Sequence, residues 1–357
     1  MTIKSWLLRI FITSLGFSSL MCNAQSTMQK ARETGTLTLG VRDAAGVLSY
    51  RGTDGNYVGF HVDVCLKIVS NIEHKIGRNL TVKYQSVTSQ NRIPLLQNGI
   101  IDIECGSTGN NAARQREVTF AVTTYVEEVR LAVKSSSGIA SVNQLNGKIV
   151  SATAGTNAIA LLQKSPQAQG ISFVEVFGKT HTESFNLLTS GRADAFVMDS
   201  QILALNIAAN RLQNEIKILD APLSSDPIGI MIRKDDIELK KTADETIAGL
   251  VSSGELNSIY SKWFINQIPN STLIMGLPVN SSTRGAWSNL NDKPVDDYIN
   301  GFPSTVQRSS MSSTSPQRKE LSSSSKEPID DAKTKCTELG FKTNTESFGK
   351  CVLKLSK

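Results

Sequence analysis

The chain has 357 residues, of which 39% are hydrophobic and 20% charged, with 10 prolines and 25 glycines. That composition excludes a collagen-like or wholly disordered chain and allows about two folding units at roughly 150 residues each. Basic residues outnumber acidic ones by 38 to 32, for a formal charge of +6. So small an excess is no nucleic-acid footprint and suits a small neutral or anionic partner.

Residues 1–24 read as a secretory signal peptide. Lys4 and Arg9 stand in or beside an apolar stretch from Trp6 to Met21, and Cys22, Asn23 and Ala24 end it with small residues at cleavage spacing. Arg9 interrupts a span that a retained anchor would need at about 20 apolar residues. Bulky Met21 argues against lipidation of Cys22. No later stretch reaches spanning length, so a soluble, exported protein is expected.

From residue 37 short apolar runs alternate with helical stretches, the pattern of α/β units around sheets with much parallel pairing. Strands are expected at 37–41, 80–87 and 100–103. Helices are expected between them at 58–76 and 91–97, the first with one apolar face through 58, 62, 65, 66, 69, 72 and 76. A second set follows, with strands at 129–133, 148–152, 173–177 and 195–198 and helices at 157–164, 181–190 and 200–210. Further strands are expected at 216–219 and 228–232, then a long helical region at 237–264 interrupted near Gly254. Two lobes result, 25–125 with 226–277 and 126–225. Residues 304–325 hold ten serines, too little apolar surface to offset chain entropy, so 278–327 is expected as a flexible linker. Residues 328–357 are expected as a small cysteine-containing module.

Four cysteines follow the signal peptide: Cys65 and Cys105 in the body, and Cys336 and Cys351 in the tail. An oxidising compartment permits three connectivities, of which local pairing is simplest. A Cys336–Cys351 bridge would close a loop of about 15 residues and stabilise the module by roughly 3 kcal/mol. Cys65 and Cys105 are either bridged or separate buried thiols. His61, His74 and His181 are dispersed and no C-x-x-C pair exists, so no metal or other cofactor is expected.

Polar clusters stand at strand ends, where open α/β sheets place ligands. Ser89 and Arg92 lie where a helix begins, Ser107 and Thr108 precede a turn carrying Arg114, and Arg42 follows the first strand. Helix N-termini and guanidinium forks together suit a carboxylate. The plain alternative makes Ser89 a helix cap and leaves the arginines solvated. In the second half Thr153 and Thr156 precede a helix, His181 opens another, and Asp199 ends an apolar strand. There Asp199 could answer an amine or merely cap the helix after it. Nucleophile-elbow, zincin, P-loop and dinucleotide fingerprints are absent, so no catalytic residue is expected.

The string Thr88-Ser-Gln-Asn-Arg-Ile-Pro-Leu-Leu-Gln-Asn-Gly99, with Glu104-Cys-Gly-Ser-Thr108, Asn110, Asn111, Arg114 and Gln115, strongly resembles the glutamate/aspartate-binding periplasmic proteins of bacterial ABC importers, solute-binding protein family 3. Thr153-Ala-Gly-Thr156, His181-Thr-Glu-Ser-Phe185, Met198-Asp199 and Arg233-Lys-Asp-Asp236 support it. The resemblance spans about residues 30–275. It implies a two-lobed α/β fold of the type II periplasmic-binding-protein kind, joined by two hinge strands and closing on a ligand. It also implies that Arg114 forks onto an α-carboxylate with help from Thr153 and Thr156, while Asp199 and Ser107 hold the ammonium. Arg42, Ser89, Arg92 and His181 would surround a side-chain carboxylate. Gly109 and Ile230 depart from the family pattern, which tends to have a hydroxyl residue and sometimes a cysteine at these positions.

The function so implied is a monomeric periplasmic receptor that hands glutamate or aspartate to an inner-membrane ABC permease, without nucleic acid or cofactor. Glutamine is an open third ligand. The rivals are a dehydratase of small carboxylates on the same scaffold, with His181 or Asp199 as general acid or base, and a sensory or envelope-docking protein.

Overall fold

A computed structural model describes residues 25–298. Helix α1 (Thr27–Thr34) is started by Ser26, whose hydroxyl accepts from the Gln29 N–H. Strand β1 (Thr36–Val41) leads into a small antiparallel sheet of β2 (Ala44–Ala45), β3 (Ser49–Arg51) and β4 (Tyr57–Val58). Helix α2 (Phe60–Ile76) starts two residues later than its apolar spacing suggests, because Tyr57 and Val58 pair with β3 instead. Its expected face is buried at Val62, Cys65, Val69 and Ile72, whereas Leu66, expected on that face, is exposed.

Strand β5 (Thr81–Ser86), helix α3 (Arg92–Gln97), strand β6 (Ile103–Glu104), helix α4 (Ala112–Gln115) and strand β7 (Val118–Phe120) complete the outward pass of the first lobe. The second lobe holds β8 (Tyr125–Lys134), β9 (Ile149–Thr153), α5 (Ala158–Lys164), β10 (Val174–Gly178) and α6 (His181–Thr189). It continues with β11 (Ala195–Asp199), α7 (Ser200–Ala209), β12 (Ile216–Ile218) and β13 (Ser224–Ile228). The chain returns through β14 (Met231–Arg233), α8 (Ile237–Ser252) and α9 (Glu255–Tyr260), then α10 (Ser281–Ser288) and α11 (Val295–Tyr298).

The first sheet runs β5-β1-β6-β14-β7, with β1 parallel to β5 and β6, and β14 antiparallel to its neighbours. The second runs β10-β9-β11-β8-β12, and β13 also pairs with β8. Its first three strands are parallel, whereas β8 is antiparallel to β11, β12 and β13. The strand expected at 228–232 is two strands: β13 belongs to the second sheet and β14 to the first. The stretch between them runs beside the link from β7 to β8, where the Thr124 N–H donates to the Ile228 carbonyl at 3.0 Å and the Ala121 N–H to the Ile230 carbonyl at 2.9 Å.

Two cores lie in the first lobe, around Phe60, Ile68, Tyr260, Trp263 and Phe264 and around Leu96, Phe120 and Met231, and two lie on the second sheet, around Val150 and Leu162 and around Phe196 and Ile202. Cys65 of α2 is bridged to Cys105, just after β6. His61 sits beside it with no exposure. Burial lowers its pKa to about 4, so the neutral ring donates from Nδ1 to the Gly106 carbonyl and accepts at Nε2 from the Thr124 hydroxyl at 2.7 Å. The loop after β6 is thereby tied to the crossing.

The linker expected from residue 278 does not begin there. Thr283 of α10 accepts the Val126 N–H at 3.0 Å, Asn280 donates to the Val126 carbonyl at 2.9 Å, and Trp287 Nε1 donates to the Thr124 carbonyl at 2.8 Å. Further on, the Asn291 carbonyl accepts from the Thr123 N–H and the Val295 N–H donates to the Asn110 carbonyl, each at 2.9 Å. This strap satisfies backbone groups of the crossing that the sheets leave free. The signal peptide, the serine-rich tract, Cys336, Cys351 and their module lie outside the described residues. Among the described residues no helix is long and apolar enough to cross a membrane, and no cluster of metal-ligating side chains occurs.

Candidate functional site

The cleft between the sheets has an empty volume of about 280 Å³. The first lobe lines it with Ser89, Arg92, Ser107, Gly109 and Arg114; Thr156, Asn157, His181, Met198 and Asp199 face them, with Asp226 and Ile228 from β13. Seven of the ten residues singled out in the sequence meet here. The other three stand one layer back. Arg42 reaches Ser89 and His181, Thr153 reaches His181, and the Thr108 hydroxyl donates to Glu104 Oε2 at 2.8 Å.

The local structure decides two open alternatives. Ser89 does not cap α3, since Thr88 and Asn91 bond each other there and the Ser89 hydroxyl accepts from Arg42 Nη2 at 2.9 Å. Asp199 precedes α7 yet makes no side-chain capping bond. Freed from that role, its carboxyl faces the cleft.

Arg42 and Arg92 are only 4% and 2% exposed. Burial lowers the pKa of Arg42 to about 10, with Arg92 adding repulsion, and that of Arg114 to about 9 for the same two reasons. Arg92 is lowered by burial as well. All three remain cations at neutral pH. Arg42 Nη1 and Arg92 Nε find no acceptor among the described residues. Arg114 gives Nη1 to the Gly109 carbonyl at 2.7 Å and Nη2 to the Gly155 carbonyl at 3.5 Å, so its fork spans the two lobes. Buried charged donors without acceptors are costly, and an anion in the cleft removes that cost.

His181 is held neutral, its pKa driven well below the usual range by burial and then by Arg42 and Arg92. Arginine can only donate, so His181 Nε2 accepts from Arg42 at 3.2 Å and Nδ1–H donates to Thr153 Oγ1 at 2.9 Å. Thr153 in turn meets Ser184 Oγ at 2.9 Å. This chain of bonds orients Arg42 from across the cleft.

Asp199 is raised to about 7, first by burial and then by Asp226, against the pull of the three arginines. Asp226, 3% exposed, accepts from Asn157 at 2.9 Å. Behind them Glu127 accepts the Ser200 N–H at 3.1 Å and its hydroxyl at 2.7 Å, and burial and Asp199 push its pKa well up. The cleft thus sets cations on one wall and carboxyls on the other. Asp226, Asn157, Gly109, Met198 and Ile228 were missed as site residues; the only available signal was a carboxylate at the head of an apolar strand.

Residues 37–266 match the family model described as bacterial extracellular solute-binding proteins, family 3. The chain is a family 3 solute-binding protein. Among relatives of this binding protein, the L-glutamate/L-aspartate-binding protein of Pseudomonas aeruginosa is 39% identical over 272 residues, 76% of this chain and 90% of the relative. The glutamate/aspartate import solute-binding protein of Escherichia coli K12 is 37% identical over 274 residues, 76% and 91% of the two chains. An ancestral arginine-binding protein bound to arginine superposes with a TM-score of 0.58 at 26% identity, over 64% of this chain and 98% of that one. A histidine-bound ABC uptake transporter substrate-binding protein of Streptococcus pneumoniae, 23% identical with a TM-score of 0.59 over 68% and 97%, shares the fold.

Proposed function

We propose that this family 3 solute-binding protein is a periplasmic receptor that closes on L-glutamate or L-aspartate and delivers it to an ABC permease of the inner membrane. The observation that carries the reading is the pair of buried guanidinium groups, Arg42 and Arg92, with donors that find no acceptor among the described residues. Arg92 lines the cleft with Arg42 one layer behind it, and Arg114 enters as a third cation. Three arginines against Asp199 and Asp226 call for a guest with two carboxylates and one ammonium. The relatives named for glutamate and aspartate supply the same chemistry.

In this reading Arg114 forks onto the α-carboxylate with Thr156, Asp199 and Ser107 take the ammonium, and Ser89, Arg92 and Arg42, steadied by His181 and Thr153, take the side-chain carboxylate. Thr108 braces Glu104 beneath them. Four or five charged hydrogen bonds at roughly 1.5–3 kcal/mol each, less desolvation and ordering, suffice for about 8 kcal/mol, or micromolar affinity. A ligand touching both walls binds the closed form better and so enriches it.

The same geometry disfavours a dehydratase with His181 as its acid or base, since both nitrogens of His181 are engaged and its pKa is low. Asp199, at about 7, keeps the pKa of a proton carrier, so turnover of the bound amino acid is what separates the two readings. The reading includes a cleaved signal peptide at 1–24 and lobes divided at about 125 and 226. It also includes a monomer and a separate C-terminal module. Calorimetry with the twenty amino acids tests it. Glutamate and aspartate should bind and glutamine should bind weakly, while Arg114→Ala should raise the glutamate Kd by about 100-fold or more with the fold intact. Wild-type affinity in that variant overturns the assignment, as does turnover of the bound amino acid.

A further inference from the structure

We propose that Gln201 is a positioning residue that latches the closed cleft from outside the ligand site, by seating its side-chain amide on Gly46. The inference rests on the receptor reading for its ligand but not for its geometry. Gln201 is the second residue of α7, in the second lobe, and has no exposed surface. Its Oε1 accepts the Val47 N–H at 3.0 Å, across to the 3-10 turn Gly46–Leu48 of the first lobe.

The seat is shaped for that amide. Gly46 has φ +63, and a Cβ on it would fall 1.8 Å from Gln201 Oε1 and 2.6 Å from its Cδ. Any side chain at 46 therefore evicts the glutamine. Val47 and Leu48 belong to the core of the first lobe, whereas Ile202 and Leu203, next to Gln201, belong to a core of the second. The bond thus joins a core of the first lobe to a core of the second. It lies outside the cleft lining, yet Gln201 is two residues from Asp199.

Gln201 Nε2 finds no acceptor among the described residues. Half of the amide is therefore satisfied and half is buried without a partner, so the net gain from latching is small. That suits a clamp that must reopen. When the lobes part, both the amide and the Val47 N–H regain water, and the latch costs nothing to the open form. Its contribution falls on the lifetime of the closed complex rather than on capture.

Gln201→Met keeps the volume and removes the acceptor. In the full chain, stopped-flow and calorimetry with L-glutamate should give a dissociation rate and Kd raised about tenfold, with the association rate nearly unchanged. Gly46→Ala should weaken binding in the wild-type background and much less in Gln201→Ala, a coupling that simple loss of stability does not produce. Equal dissociation rates in Gln201→Met and wild type, or additive effects of the two substitutions, overturn the latch while the receptor reading stands. If the wild-type protein binds neither glutamate nor aspartate, that reading fails instead. The latch is then judged by small-angle scattering of the ligand-free chain, where Gln201→Met should enlarge the radius of gyration and an unchanged radius refutes it.

Discussion

Arg92 repels both Arg42 and Arg114, and Asp199 answers them from the other wall with a pKa of about 7. The unfolded chain releases that proton near pH 4. Between about 4 and 7 the folded, ligand-free protein therefore holds more protons, and this group makes it lose stability as pH rises. A bound ammonium reverses the preference by favouring the carboxylate. Glutamate affinity should climb as pH rises toward 7, by up to tenfold per unit, and level off above it. Asp199→Asn should bind more weakly with a flat profile. A wild-type Kd independent of pH between 5.5 and 8 would contradict the role given to Asp199. At this scale the sequence was readable wherever a polar residue closed an apolar strand, as with Arg42, Ser89 and Asp199. Asp226 and Asn157 were not readable, because only the crossing of β13 brings one beside the other.

The turn after β9 shows how one element limits another. Thr156 bonds back to the Thr153 carbonyl at 2.7 Å, and Gly155, at φ +80, comes so close to the first lobe that a Cβ would lie 2.7 Å from the Ser89 carbonyl and the Gln90 N–H. Gly155→Ala should hold the lobes apart. Its left-handed backbone costs the ligand-free protein about 1 kcal/mol, whereas the glutamate Kd should rise tenfold or more. A variant that binds like wild type would show that the lobes close without that contact. Among the elements, α2 was legible from its apolar spacing. The first residues of β8 were not, since Glu127 and Glu128 interrupt its apolar pattern. Nor was the strap, whose hold on Val126 and Thr124 is made by Asn280, Thr283 and Trp287, polar groups that read as linker until their backbone partners are known.

For the molecule as a whole, alternating strands and helices made the two-lobed plan legible, but closure depends on contacts between distant segments that no local pattern announces. The Cys65–Cys105 bridge belongs to this scale, since it fastens α2 to the loop of Ser107 and Thr108 across a separation of 40 residues. In the chain-entropy model such a loop stabilises the fold by about 4 kcal/mol. Cys65→Ser combined with Cys105→Ser should lower the urea unfolding energy by roughly that amount, and an unchanged midpoint would deny the bridge any such role. The bridge also sets a timetable. Thiols stay reduced in the cytosol and pair outside it. On the proposed itinerary, a newly made chain therefore carries an unfastened floor beneath its arginines, and the cargo hold is finished only on the far side of the inner membrane.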